Sequence, residues 1–231
     1  MTAPFYVPPE QLIKDRAEFA RKGIARGRPI VVIEYEHGVL MIGENPSGSL
    51  NKLGEIYDRI GFAGVGRFNE FETLRVAGIR YVDVKGYSYG RVDVTARGLA
   101  NAYSQTLGQI FTHEVKPFEI EVMIAEIGDD PAGTRMFRIQ FDGTLGAFDK
   151  WGAMGGGEEA LAETLAEEYE AGAPLPTVLK TAAAALEAAV EHEIVADDWE
   201  AAVLDRTSGR RKFRRLTAQE IADLRSNGDG Q

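Results

Sequence analysis

The feature that most constrains the fold is an amphipathic helix that runs directly into a β-hairpin, within residues 8–45. Pro8 and Pro9 stand where prolines commonly start a helix, because the N–H groups of the first turn have no partner within the helix. Apolar residues then recur at helical spacing as far as Ile24. Gly27 follows, and the pattern predicts that it closes the helix in the left-handed conformation.

The residues after this helix have the alternation of a strand and the turn of a hairpin. Apolar side chains alternate with mostly polar ones over 31–36, His37 and Gly38 turn the chain, and an apolar run returns over 39–42. We therefore expect two paired strands, the first joined to the preceding helix by only a few residues.

The remainder of the chain alternates between groups of strands and pairs of helices. Periodicity and turn signals first predict strands near 55–59 and 60–65, and then helices from Asn69 to about 84 and over 92–112. Strands over 119–127 and 135–143 follow, then a strand pair over 145–154, and then helices over 158–172 and 174–191. The last elements are strands over 201–206 and 211–216 and a short helix opened by a capping box at Thr217 and Glu220. Asn69 is predicted to cap its helix, and residues 85–90 to form a connector. This order favours helix layers on both faces of two stacked antiparallel sheets, while periodicity alone leaves other α/β layer arrangements open.

Composition excludes several classes of function. The 231 residues carry a formal net charge of −10, which disfavours general binding to nucleic acid. The chain has no cysteine, so it can form no disulfide framework and no thiolate zinc site, which fits the cytoplasm. No apolar run approaches the roughly 20 residues that cross a bilayer, and residues 1–11 lack the pattern of a secretion signal. We expect one sizeable cytoplasmic domain with no membrane and no nucleic-acid partner.

Other candidate sites are more simply explained as structure. His37, His113 and His192 are far apart, with no spacing typical of a metal site, so we expect no metal and no cofactor. The glycines at 155–157 precede a glutamate-rich helix that would repel an anion, which favours a packing turn. The basic run over 210–215 is interpreted as a solvated edge strand, where charge discourages edge-to-edge pairing.

Three ordered blocks carry a resemblance to a known family. They are GVLMIGEN at 38–45, KLGEIYDRIGF at 52–62 and VGRFNEFETLR at 65–75. Together with the N-terminal helix, they resemble the α-type subunit of the 20S proteasome in its actinobacterial form, over nearly the whole chain. The resemblance implies an α+β fold: a four-layer αββα sandwich of the N-terminal-nucleophile hydrolase type, with two stacked antiparallel sheets flanked by helices.

The start of the first strand argues against catalysis. Hydrolases of this class attack with a Thr, Ser or Cys freed at that strand, whose own amine serves as base. Here the strand follows a helix and the segment Gly27-Arg28-Pro29, so no nucleophile can be freed without cutting the helix away. The class also needs a lysine at the end of the second strand, to lower the pKa of the nucleophile, but that strand ends in Glu44 and Asn45. We therefore expect no catalytic residue in this chain.

The resemblance also implies a binding pocket. In the family, the lysine that corresponds to Lys52 lies between neighbouring α-subunits and receives the C-terminal carboxylate of a ring ATPase. A flexible ammonium captures a carboxylate by charge-assisted hydrogen bonding, and a ring engages several weakly held tails at once. Gly66, Arg67 and Gly27 are implied to line the same pocket, although Arg67 departs from the apolar residue of the archaeal pattern.

The N-terminal segment is implied to be a gate. Residues 1–8 would be mobile, 9–225 would form a single α-type domain with its first helix at about 9–26, and 226–231 would be a disordered tail. In the family such N-terminal segments converge on the axial pore and obstruct it, whereas a frayed terminus is the simpler reading of residues 1–7. The implied gate residues are Phe5, Tyr6, Val7, Pro8 and Pro9.

These features lead to the hypothesis of a non-catalytic, ring-forming and gating subunit of a threonine-type endopeptidase complex. The implied partners are further copies in a heptameric ring, catalytic β-subunits, a ring-shaped ATPase, and unfolded proteins in transit that carry a ubiquitin-like tag. The rival hypothesis is a self-processing N-terminal-nucleophile hydrolase or a β-type subunit on the same fold. A third alternative is a monomeric protein that binds a small molecule.

Overall fold

The computed structural model describes residues 8–226, which form two five-stranded antiparallel sheets flanked by helices. The helices are α1 (Pro9–Ala25), α2 (Phe68–Ser88), α3 (Ala96–His113), α4 (Glu158–Glu168), α5 (Leu175–Val190) and α6 (Ala218–Ser226). The strands are β1 (Ile30–Tyr35), β2 (Gly38–Glu44), β3 (Leu53–Tyr57), β4 (Ile60–Gly66), β5 (Ile120–Glu126), β6 (Arg135–Ile139), β7 (Leu145–Phe148), β8 (Trp151–Met154), β9 (Trp199–Asp205) and β10 (Phe213–Leu216). Ser226, predicted to begin the tail, ends α6, and the rest of the predicted tail lies outside the described residues.

The predicted hairpin β1–β2 lies at the centre of the first sheet. That sheet has the strand order β10-β9-β2-β1-β8, and the second has the order β3-β4-β5-β6-β7. Every residue of β2 is buried, because the second sheet covers one face of the hairpin and helices cover the other. The apolar run that predicted β2 therefore belongs to a strand buried on both faces.

Three apolar clusters separate the four layers. Val31 and Ile33 of β1 pack in a cluster with α4 and α5, whereas Ile30 and Val32 pack in a cluster with the second sheet. Phe62 of β4 packs with α2 and α3 on the far side of the second sheet. Alternate side chains of β1 thus fill two different cores, as the period of a strand requires. The αββα sandwich predicted from the sequence is confirmed.

Two helices start at other positions than the sequence predicts. α2 begins at Phe68, so Asn69 lies inside the first turn and does not cap the helix. α3 begins at Ala96, later than predicted, because the Thr95 hydroxyl caps it by accepting an N–H of the first turn at 3.2 Å.

α2 also continues past its predicted end. Residues 85–88, predicted as part of a connector, complete its last turn. Gly86, within the predicted connector, does not interrupt the helix, and the glycine permits a close approach there. A Cβ on Gly86 would lie 2.5 Å from the Tyr57 hydroxyl.

The prediction that residues 145–154 form one strand pair is wrong. β7 pairs with β6 in the second sheet, and β8 pairs with β1 in the first. The turn between them carries the chain from one sheet to the other, at the edge of both. Local alternation cannot separate a hairpin from such a crossover, because the two have the same pattern over so few residues.

Two predictions near the C-terminus are confirmed. The Thr217 N–H donates to the Glu220 carboxylate at 2.8 Å and the Glu220 N–H donates to the Thr217 hydroxyl at 3.2 Å, which forms the capping box of α6. β10 is an edge strand of the first sheet, and the side chains of Arg210 and Arg211, just before it, are largely exposed.

A partly buried ion cluster links the second sheet to α4. Arg138 of β6 donates to the two carboxylate oxygens of Glu121 on β5 at 2.9 and 2.8 Å, and also pairs with Glu158 at the start of α4. Burial raises the pKa of the Glu121 carboxyl, and the Arg138 guanidinium acts against that rise. Removing either partner alone would leave a buried charge without compensation.

Replacing Arg138 by Met should lower the free energy of unfolding by about 3 kcal/mol, because Glu121 then stays buried without a cation. The double variant Arg138→Met, Glu121→Gln should recover most of this loss. Urea unfolding followed by tryptophan fluorescence measures both variants. A single variant as stable as the parent chain, or a double variant no more stable than the single one, would contradict the assignment.

Candidate functional site

The candidate site surrounds the start of β1. α1 ends at Ala25, and residues 26–29 carry the chain into Ile30. Gly27 donates its N–H to the Ile24 carbonyl at 2.8 Å and so closes the helix. The prediction that Gly27 has the left-handed conformation is wrong, because its φ is not positive.

Gly27 is required by a close approach of backbones. A Cβ on Gly27 would lie 2.6 Å from Cγ1 of Val65 and 3.2 Å from the backbone nitrogen of Gly66. The Gly27 carbonyl also accepts the N–H of Gly156 at 2.9 Å. Glycines from the α1–β1 connection, the end of β4 and the β8–α4 turn thus meet where no side chain fits. The packing turn predicted for 155–157 is confirmed.

Gly66 and Arg67 turn the chain from β4 into α2 beside this contact. Gly66 has a φ of +104°, and a Cβ on it would lie 1.9 Å from the Glu119 carbonyl oxygen. Arg67 donates its backbone N–H to the same carbonyl at 3.1 Å, and its Nε lies 2.7 Å from the Glu119 carboxylate. The Arg67 side chain is 61% exposed, so it presents an oriented and accessible cation.

Lys52 lies in the bend before β3, with its side chain directed inward. Its ammonium donates to the Glu44 carbonyl at 2.8 Å and to the Arg28 carbonyl at 3.3 Å. An ammonium has three donors, and the third has no partner within residues 8–226. Burial lowers the pKa of Lys52 to about 8, and the nearby Glu200 carboxylate opposes this shift. At neutral pH the site therefore holds a charged ammonium with one donor left for an anion.

Lys52 corrects one part of the sequence argument against catalysis. No lysine follows β2 along the chain, but the Lys52 ammonium reaches the carbonyl of Glu44, the last residue of β2. The prediction that this position lacks a lysine is therefore wrong, because the lysine arrives from the loop before β3. The nucleophile is what this position lacks: Arg28, Pro29 and Ile30 carry neither a hydroxyl nor a thiol.

A buried carboxylate beside Lys52 was not identified from the sequence. Glu44 pairs with Arg28 and lies 3.2 Å from Nε2 of His192. Burial acts to raise the pKa of Glu44, but the bonds from Arg28 and His192 outweigh it and leave the pKa below its usual value. The pKa of His192 is raised, first by its bond to the Val190 carbonyl and then by Glu44. The only sequence signal for this cluster was a glutamate at the end of an apolar strand.

The four predicted pocket residues lie around the α1–β1 connection. Gly27 adjoins Gly66, Arg67 follows Gly66, and Lys52 bonds to the residue after Gly27. Two predicted gate residues, Pro8 and Pro9, lie at the other end of α1, about 25 Å away for a helix of 17 residues. The other three, at positions 5–7, lie outside the described residues.

Two further kinds of site are missing from the described part of the chain. Over residues 8–226, no group of three His, Asp or Glu side chains converges in a way that could hold a metal ion. In the same range, no helix combines the length and the apolar character needed to cross a lipid bilayer.

Comparisons with known proteins cover almost the whole chain. Residues 24–204 match the family model for proteasome subunits. The protein named proteasome subunit alpha of Streptosporangium roseum is 53% identical over 231 residues, which cover 99% of this chain and 88% of that protein. The proteins of the same name from Kineococcus radiotolerans and Thermomonospora curvata are 52% and 51% identical, over 97% and 99% of this chain and 98% and 100% of theirs.

The amine of Lys52 should titrate near pH 8. Only the neutral amine reacts with an acylating reagent, so labelling of Lys52 should rise with pH through a midpoint near 8. An ordinary exposed lysine has its midpoint at about pH 10.4. Pulse labelling is carried out across pH, and peptide mass spectrometry gives the labelling of each lysine as a fraction of its own maximum. The midpoints of Lys52 and of the exposed lysines are thus measured in one sample. A Lys52 midpoint at the ordinary value would contradict the burial of its ammonium.

Proposed function

The chain belongs to the proteasome subunit family, in its α-type branch, and from this premise we propose that it gates the core particle and docks an ATPase. As an α-type subunit it forms a ring, assembles with β-subunits and is part of a protease complex. Its own contribution is architecture and control of entry, and peptide bonds are cut by threonine nucleophiles of the β-subunits.

The observation that carries the non-catalytic role is the continuous helix before β1. α1 leads into β1 through Gly27, whose N–H and carbonyl are both bonded, to Ile24 and to Gly156. The start of β1 is therefore an internal, packed peptide segment, whereas the catalytic members of the class need a free amine there.

The geometry of Lys52 supports the docking role. Its ammonium is held by two carbonyls, so it is oriented before any ligand arrives, and among the described residues 8–226 its third donor has no partner. A terminal carboxylate is the ligand that suits a single oriented ammonium, because the resulting bond is charge-assisted. Arg67, mostly exposed beside Gly66 and paired with Glu119, is a further cation next to the Gly27–Gly66 contact.

The gate is proposed for the residues before α1. The segment of residues 1–7 continues from Pro8, at the end of α1 that is remote from the pocket. A tail bound near Gly27 contacts the other end of the same helix. Tilting α1 is then a direct mechanical route from the bound tail to the gate, since a helix moves as a rigid element.

The substrates we propose are unfolded proteins that carry a ubiquitin-like tag, delivered through the docked ATPase. Selection of substrates is left to the ATPase. The chain is expected to act in the cytoplasm.

One observation favours the rival hypothesis of a self-processing hydrolase. The Lys52 ammonium lies at the end of β2 and 3.3 Å from the Arg28 carbonyl, where a catalytic lysine of this class would be useful. The rival nevertheless requires a nucleophile at the start of β1, and Arg28, Pro29 and Ile30 cannot supply one.

Deleting residues 2–8 should raise hydrolysis of short fluorogenic peptides by the reconstituted particle severalfold, because an obstruction of the pore is removed. In a matched control, residues 2–8 are replaced by a flexible sequence of equal length, which keeps the length of the segment but changes its sequence. Hydrolysis by the deleted particle at the parent rate would contradict the gate.

Replacing Lys52 by Ala should reduce ATPase-stimulated hydrolysis by about tenfold or more, because a charge-assisted hydrogen bond to the tail is lost. The basal rate of a particle with residues 2–8 deleted should stay unchanged. Lys85→Ala, which removes an ammonium in the last turn of α2, is the control and should have no effect. Full stimulation of the Lys52→Ala particle would rule out this pocket.

A further inference from the structure

Glu200 carries an unusual number of donors on one carboxylate. It lies on β9, and its two oxygens accept the backbone N–H groups of Lys52 at 2.9 Å and Leu53 at 3.0 Å. The same carboxylate accepts hydrogen bonds from Nδ2 of Asn45 at 2.7 Å and from a guanidinium nitrogen of Arg215 at 2.9 Å. Its side chain is 11% exposed. Charge-assisted bonds of this kind are about twice as strong as neutral ones.

These bonds fix the loop that carries Lys52. The chain leaves the first sheet at Glu44 and enters the second at Leu53, and residues 46–51 between them are mostly exposed. Glu200 bonds both ends of this loop to β9, through the side chain of Asn45 and the backbone of Lys52. The backbone of Lys52 is thereby held where its ammonium reaches the carbonyls of Glu44 and Arg28.

We propose that Glu200 is the positioning residue of the Lys52 pocket: it holds the Lys52 backbone and supplies a negative charge next to the ammonium that binds a tail carboxylate. This inference rests on the docking role proposed above. Glu200 does not touch the ligand and acts through Lys52.

The charges around Lys52 determine how binding depends on pH. Burial lowers the pKa of Lys52 to about 8, Glu200 and Glu44 raise it, and Arg28 lowers it. Arg215 pairs with Glu200, and His192 pairs with Glu44, so each offsets part of the negative charge of its carboxylate near Lys52. The protonated amine binds a carboxylate, so affinity is complete well below pH 8 and is lost as the pH rises through that value. Without the charge of Glu200 the loss begins at a lower pH.

The test measures binding of a peptide to the assembled particle across pH. The probe is a fluorescent peptide that copies the C-terminal residues of the ring ATPase, with a free carboxylate, and its amidated form is the blank. Glu200→Gln should weaken binding roughly tenfold at about pH 8 and much less at about pH 6.5, because the charge is lost. Glu200→Asp keeps the charge but reaches less far, so its binding should weaken without a shift of the pH profile.

Glu126→Gln is the matched control. Like Glu200, the Glu126 carboxylate accepts hydrogen bonds from a backbone N–H and from an arginine: the Ala96 N–H at 2.7 Å and Nε of Arg59 at 2.8 Å. The Glu126 side chain is 10% exposed. It lies at the end of β5 paired with the start of β4, whereas the pocket lies at the other end of β4. This variant should bind the peptide like the parent particle at every pH.

Each outcome separates the inference from the docking role. If Lys52→Ala binds the peptide normally, the docking role itself fails. If Lys52→Ala loses binding but Glu200→Gln matches the parent, the docking role stands and the positioning role is refuted. A loss in Glu200→Gln of the same size at every pH would refute the role of its charge. An equal loss in Glu126→Gln would refute the positioning role, because general loosening of the fold produces that result.

Discussion

The close contact of three backbone segments at Gly27 fixes the end of α1 against the sandwich. Gly27 leaves no room for a Cβ against Val65 and Gly66, and its carbonyl accepts the N–H of Gly156. β1 begins at Ile30, so the same contact also fixes the start of the central hairpin. The packed connection therefore has two consequences. It covers the strand start, and it places the Arg28 carbonyl where the Lys52 ammonium can reach it.

A lysine in this position can serve chemistry of two kinds. Beside a free nucleophile its charge would lower the pKa of that nucleophile. Here it faces the carbonyls of Glu44 and Arg28, and no nucleophile stands beside it at the start of β1. One of its donors has no partner in the part of the chain that the structure describes. In the proposed role the same charge is used for binding a carboxylate. In this chain, what precedes β1 decides between the two uses.

The sequence predicts the layers of this fold better than it predicts the site. Periodicity identified α1 and the β1–β2 hairpin because each depends on contiguous residues, whereas the αββα layering was implied by the family resemblance. It missed that β7 and β8 belong to different sheets, and it placed no lysine at the end of β2, because both facts depend on residues distant in sequence. Glu44 was noted only as standing where a lysine was expected, and Glu200 was not singled out, since one glutamate in a strand has no pattern that reveals its partners. Gly27 was identified as the end of α1, but the reason for a glycine there is packing and not its conformation.

The covered start of β1 is tested most directly by the intact mass of this chain in an assembled particle. The particle would be purified after co-expression with its β-subunit and treated with an electrophilic peptide that modifies N-terminal nucleophiles. This chain is expected to remain continuous through Gly27–Ile30 and to carry no adduct, while the β-subunit is modified. A shortened chain that begins at or after Arg28 and carries the adduct would contradict it.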